Sequence, residues 1–178
     1  PIGKDSRAVH IPPGFLEHPD NITITKSIEI LRQELGNDVA IIGKTMGPWT
    51  LAYHVFGVEN FLLMTVDDPD EVMRTLHKLK EISVLFGEAQ IAAGVDALTF
   101  PDHATGDLVS GQYYKRFLQD IHTEMVEALP VPLILHICGN TLDRMPYIAE
   151  TGMAFFHFDS KNRSEEHTSE LQPRRKTG

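Results

Sequence analysis

A histidine and the chain's one cysteine, His136 and Cys138, stand two residues apart in the apolar run Leu133-Ile134-Leu135-His136-Ile137-Cys138-Gly139. Side chains two apart on a strand share a face, so both would project the same way from a rigid backbone. An imidazole nitrogen and a thiolate sulfur are donors that Zn²⁺ prefers, and Gly139 lets the chain turn away without crowding an ion. The same residues also suit a buried structural cysteine beside a core histidine, and two donors alone do not make a metal site. Asp102 and His103 follow a second apolar run, Ala97-Leu98-Thr99-Phe100. As catalytic candidates they could orient a metal ligand or bind substrate. Asp102 could equally do no more than cap the turn before Thr105-Gly106. His10, His18, His54, His77 and His122 have no ligand-like spacing and are expected on helix surfaces or in loops.

The elements that must position these residues alternate. Ile24, Ile28, Leu31 and Leu35 are spaced four, three and four apart, which predicts a helix over 22–35 closed by Gly36. Residues 39–42 form a short apolar strand covered on both faces, leading into a loop over 43–50 by its Gly and Pro content. Asp68, Pro69 and Glu71 spell a capped helix start. Val72, Leu76, Leu79, Ile82, Phe86 and Ala89 continue it as one apolar stripe to Gly94. A strand over 97–100, a helix over 110–129 and a strand over 131–135 follow. A short helix over 142–150 and a strand over 153–158 complete the body. This alternation with short connections predicts α/β architecture, a parallel sheet with outer helices. Reactive residues cluster just after successive strands, as at the catalytic face of a (β/α)8 TIM barrel. No G-x-G-x-x-G follows a strand, which removes the main signature of an open nucleotide-binding sheet. A whole barrel needs roughly 250 residues, so the fold expected for residues 1–162 is a partial barrel.

Bulk properties bound the function classes. The chain has 178 residues, 42% hydrophobic and 23% charged, with a formal net charge of -9. That suits one globular domain and disfavours nucleic acid as a partner. No stretch approaches the roughly 20 apolar residues of a membrane span. The start lacks both an initiator Met and a signal-peptide pattern, and one cysteine makes no internal disulfide, so a cytoplasmic location is the default and the natural N-terminus is expected upstream. Composition changes abruptly after Asn162. Residues 163–172 look like the in-frame translation of a sequencing-adapter oligonucleotide. Residues 163–178 are therefore expected to be a non-native, disordered tail that packs against nothing.

Three segments together carry a family resemblance: Leu133-Ile134-Leu135-His136-Ile137-Cys138-Gly139-Asn140, Met46-Gly47-Pro48-Trp49-Thr50-Leu51, and Ala97-Leu98-Thr99-Phe100-Pro101-Asp102-His103-Ala104-Thr105-Gly106-Asp107. They resemble the methylcobamide:coenzyme M methyltransferases of the uroporphyrinogen decarboxylase superfamily. The resemblance implies that His136, Cys138 and a cysteine from a later strand bind zinc. It also implies that the coenzyme M thiol takes a methyl group from a methylcorrinoid carried by a partner protein. Cys138 is the only cysteine, so the implied third ligand lies beyond Asn162, with His157 or Asp159 as substitutes within the chain. Met46 and Trp49 could then line a pocket for the corrin cofactor, or simply belong to the core. The Gly-x-Pro-x-Thr element is shared with the decarboxylases. A decarboxylase would want arginines in its cleft, yet Arg32, Arg74, Arg116 and Arg144 fall on expected helices. A non-catalytic corrinoid- or metal-binding paralogue is a third reading. Lacking a third ligand and a closed barrel, the chain alone is expected to be inactive.

Overall fold

A computed structural model of the protein describes residues 6–159 and 162. Helix α1 (Pro19–Leu35) starts at His18, whose ring accepts the Asp20 N–H, and ends at Gly36. Strand β1 (Ile42–Lys44) follows, then helices α2 (Pro48–Phe56) and α3 (Val58–Asp67). These two helices occupy the stretch expected to begin as a loop. Pro48, which suggested loop, instead starts α2, because Pro fits the first helical position, and Gly57 separates α2 from α3.

Helix α4 (Pro69–Ala93) begins as its sequence predicts: the Asp68 carboxylate accepts the Glu71 N–H at 3.0 Å. It ends at Gly94, whose φ of 113° is left-handed. Val72, Leu76 and Leu79 are buried as expected, but further along the buried face carries Ser83 and Gln90. Both are satisfied by the backbone around β1. Gln90 accepts the Lys44 N–H at 2.9 Å and donates to the Lys44 carbonyl at 2.9 Å. Ser83 Oγ donates to the Met46 carbonyl at 2.6 Å. This clamp, with the Ile41 N–H donated to the Asp96 carboxylate, places β1 three residues later than the apolar run suggested.

Strand β2 (Ala97–Pro101) precedes helices α5 (Gly111–Phe117) and α6 (Gln119–Ala128), which replace the single helix expected there. The break falls at Leu118, while Tyr114, Phe117, Ile121 and Met125 are buried as the stripe predicts. Strand β3 (Leu133–Ile137), a 3₁₀ turn (Leu142–Arg144), helix α7 (Met145–Ala149) and strand β4 (Phe155–Phe158) complete the order.

The four strands are parallel and lie in the order β1-β2-β3-β4. An open doubly wound sheet reverses its strand order at a switch point; this sheet does not, as in a closed barrel. Alternate residues divide its faces. Leu98, Phe100, Leu133, Leu135 and Ile137 are buried against the helices. On the other face lie Ile42 and Phe155, 56% and 63% exposed, with Lys44, Pro101, His136 and His157 towards the strand ends. Among the described residues no helix is long and apolar enough to cross a membrane. Residues 163–178, read from sequence as a foreign tail, lie outside the described residues.

Candidate metal centre

His136 and Cys138 meet as strand geometry predicts, with Nε2 of the imidazole 3.0 Å from Sγ. His136 Nδ1 lies 2.8 Å from the carbonyl of His157, its register partner on β4. A carbonyl only accepts, so Nδ1 carries the hydrogen and Nε2 keeps its lone pair towards the sulfur. A hydrogen bond on one nitrogen that frees the other is the usual arrangement behind a metal-ligating histidine. Cys138 is exposed and outside any disulfide.

His103 joins them. One donor atom from each of His103, His136 and Cys138 lies within 4.8 Å of the others, a grouping that could hold a metal ion. The loop that carries His103 is tied on both sides. The Asp102 N–H donates to the His136 carbonyl at 2.9 Å, and the His103 N–H donates to Thr50 Oγ1 at 2.8 Å. Burial lowers the His103 pKa, the Asp102 charge opposes, and His136, Lys44 and His54 lower it further, so the neutral, metal-competent ring is favoured.

Asp102 does not share this opening. It is fully buried. Oδ1 accepts the Thr50 N–H at 2.7 Å, and Oδ2 lies 3.0 Å from Nε2 of His122. Nδ1 of His122 lies 2.8 Å from the Tyr114 hydroxyl. A carboxylate accepts, so Nε2 carries the hydrogen and Nδ1 accepts from the phenol. Burial, and then the Asp102 charge, raise the Tyr114 pKa far above the ordinary phenol value, keeping that donor protonated. The expectation that His122 lies on a helix surface or in a loop is therefore corrected: it is fully buried on α6. Its partner is 20 residues away, and no local spacing reports it.

The Gly-x-Pro-x-Thr element gains a physical reason from this cluster. A Cβ on Gly47 would stand 2.2 Å from the Asp102 carboxyl carbon, so only glycine lets α2 begin this close. Pro48 starts the helix, and Thr50 offers its N–H to Asp102 and its hydroxyl oxygen to the His103 N–H.

A cleft lined by Lys44, Met46, Thr99, His103, His136 and His157 takes in two of the three donors, while Cys138 meets His136 from outside that lining. Met46 is therefore on its wall. Trp49 is not: it is fully buried, with the rings of Tyr53, Phe61 and Phe117 within 6.0 Å. An indole enclosed on those sides belongs to the core and reaches no ligand in the cleft. The His157 ring stacks at 4.6 Å from His136, tilted by 35°, and is not one of the clustered donors. The Asp159 carboxylate accepts the Gly139 N–H at 2.7 Å, pinning the turn after β3. Two imidazole nitrogens and a thiol sulfur are a borderline-soft set that fits Zn²⁺ rather than Mg²⁺ or Ca²⁺, which take oxygen.

A parallel sheet in barrel order agrees with the folds of known proteins. Residues 5–177 match the family profile described as uroporphyrinogen decarboxylase (URO-D), and the chain belongs to that family. It is 31% identical over 150 residues to a methylated-thiol–coenzyme M methyltransferase of Methanosarcina mazei, covering 83% of this chain and 41% of that protein. It is 27% identical over 162 residues to a methylcobamide:CoM methyltransferase of Methanosarcina barkeri, covering 90% and 48%. A uroporphyrinogen decarboxylase of Sulfurovum is 27% identical over 143 residues, covering 75% and 40%. The solved structure of a methyltransferase from Methanosarcina mazei superposes with a TM-score of 0.80 at 27% identity, covering 84% of this chain and 45% of that one. The chain thus spans less than half the length of these relatives, and its fold is part of a barrel.

Proposed function

We propose that this chain is part of a zinc-dependent methyltransferase that moves a methyl group from a methylcorrinoid, carried by a partner protein, to the thiol of coenzyme M. The observation that carries this reading is the His136–Cys138 pair, with the second imidazole nitrogen turned to the sulfur at 3.0 Å and His136 on the wall of the cleft. His136 and Cys138 would hold the metal, and His157 would orient the His136 ring through its carbonyl. Zinc, when bound, supplies the deprotonation of a thiol whose ordinary pKa is about 8.5. Met46 on the cleft wall offers a soft apolar contact for the incoming corrin. The soluble, acidic character of the chain suits a cytoplasmic enzyme with a protein-borne cofactor, not a nucleic-acid partner.

The decarboxylase reading is weaker on this structure. Its polycarboxylate substrate calls for arginines, and no described arginine lines the cleft. Arg144 is buried and donates to the Ala104 and Val109 carbonyls, while Arg32 bonds Gly94 and Asp96. Methyl transfer is expected only when further chain completes the barrel, because the open sheet leaves the cleft without its other walls. The test is elemental analysis and thiol methylation on a protein extended beyond residue 162, compared with its Cys138→Ala variant and with the present chain. One zinc per extended chain, lost with Cys138 along with activity, is the expected result. Stoichiometric zinc in the Cys138→Ala protein, or methylation by the present chain at the extended protein's rate, would overturn it.

A further inference from the structure

We infer that His103 is a third metal-binding side chain, so that three protein donors and one open position are assembled within this chain. The inference rests on the proposed metal centre and adds a ligand that the sequence placed elsewhere.

Four histidines surround the end of β2 and β3, and their nitrogens are used differently. His122 has both nitrogens occupied, by Asp102 and Tyr114, and no access to solvent. His136 has one occupied by the His157 carbonyl and the other at the Cys138 sulfur. His157 contributes its carbonyl, and its ring lies outside the donor cluster. The His103 ring makes no hydrogen bond among the described residues, yet it faces the cleft edge-on to His136 at 6.2 Å. A half-buried imidazole with no partner, within 4.8 Å of two further donors, has the chemistry of a ligand.

The backbone holds it in place. Asp102 is bonded through its N–H to the His136 carbonyl, through its carboxylate to the Thr50 N–H, and through its own carbonyl to the Ala104 N–H at 2.8 Å. The two histidine-bearing strand ends are thus joined peptide to peptide, so the donors keep their spacing before any ion arrives. Zinc bonds of about 2.0–2.3 Å require donors closer than the outer limit of the cluster, and His136 and Cys138, at 3.0 Å, already meet that need. Three such ligands leave one position for a substrate thiol, the pattern of a catalytic site.

Cobalt(II), which reports its ligands by absorbance, tests this on the 178-residue chain as it stands. Titration should give one Co²⁺ per chain with a thiolate-to-metal charge-transfer band. In the His103→Ala variant that band should persist while affinity falls by about tenfold or more and the visible bands weaken towards higher coordination. His103→Cys is the second arm: a new thiolate ligand should strengthen the charge-transfer band, a gain that misfolding cannot imitate. Failure of the native chain to bind Co²⁺ would overturn the inference. So would His103→Ala binding with native affinity and spectrum while Cys138→Ser loses the band; the proposed metal centre would then stand without His103. If Cys138→Ser binds as the native chain does, the metal centre itself is wrong.

Discussion

Two clusters lie on opposite sides of the end of β2, and each is built around histidine. On one side Asp102, His122 and Tyr114 are sealed from water with every polar atom of the chain between them paired. On the other side His103 and His136 line an open cleft, with the exposed Cys138 sulfur beside His136 and donor atoms left over. Adjacent residues of one loop, Asp102 and His103, thus have opposite jobs. The buried carboxylate bonds the distant His122 and the α2 backbone rather than the donor cluster, so it braces the loop. The comparison teaches that a histidine's role follows from how many of its nitrogens the fold has already used.

The largest expected effect separates these neighbours directly. Asp102→Ala strands the Thr50 N–H and the His122 ring N–H in the core, and should cost about 2–5 kcal/mol of stability. His103→Ala, beside it, should cost less than about 1 kcal/mol. Urea denaturation of both variants measures the difference, and equal losses would erase the distinction between bracing and binding. Gly47→Ala comes next. Its Cβ cannot coexist with the Asp102 carboxyl at 2.2 Å, so α2 must shift, at about 1–3 kcal/mol. The shift should also loosen His103 through Thr50, seen as weaker Co²⁺ binding.

A smaller effect is tied to pH. Tyr114→Phe removes the hydroxyl that His122 Nδ1 accepts, costing about 1 kcal/mol near neutrality. In the folded protein the Tyr114 phenol titrates above the unfolded value of about 10. Its contribution is therefore fully present below pH about 10. It declines as pH rises further, because the unfolded chain releases a proton that the folded chain retains. The variant's stability should fall less steeply through that alkaline window, measured by denaturation at stepped pH. The smallest effect is expected on the open face: Phe155→Ser should change stability by less than about 0.5 kcal/mol, since Phe155 is 63% exposed. A large loss would mean that this face is covered in solution.

Much of this was legible in the sequence where a local rule operates. The Asp68 cap, the Gly94 stop and the shared face of His136 and Cys138 each depend on residues within a turn or a strand of one another. The boundaries of β1 and β3 fell two or three residues later than the apolar runs suggested, and β4 begins two residues later but ends where expected. A short apolar run has no period to say where pairing begins; Gln90 and the register with β2 decide it. The start of α2 was hidden by Gly47 and Pro48, whose loop-like character is also that of a helix start. Trp49 was a candidate for either pocket or core, and the aromatic rings of α3 and α5 settle its place in the core. His122 was misread and Thr50 overlooked because their shared partner, Asp102, is brought to them only by the sheet. The nearness of His103 to the other donors likewise follows from β2 pairing with β3, not from any spacing along the chain.

The bond from His136 Nδ1 to the His157 carbonyl has a consequence for the order of events in assembly. Until β4 docks beside β3, nothing selects which imidazole nitrogen bears the hydrogen, and the ring is free to turn. Docking of β4 chooses the tautomer and aims the remaining lone pair in a single act. An ion captured before that moment would meet a ring pointing either way; one captured afterwards meets a finished socket. Deletion or insertion of one residue in the connection between β3 and β4 would offer His136 the wrong edge of the neighbouring peptide. Metal held by the proposed pair would thereby report on the strand register of the newly folded chain.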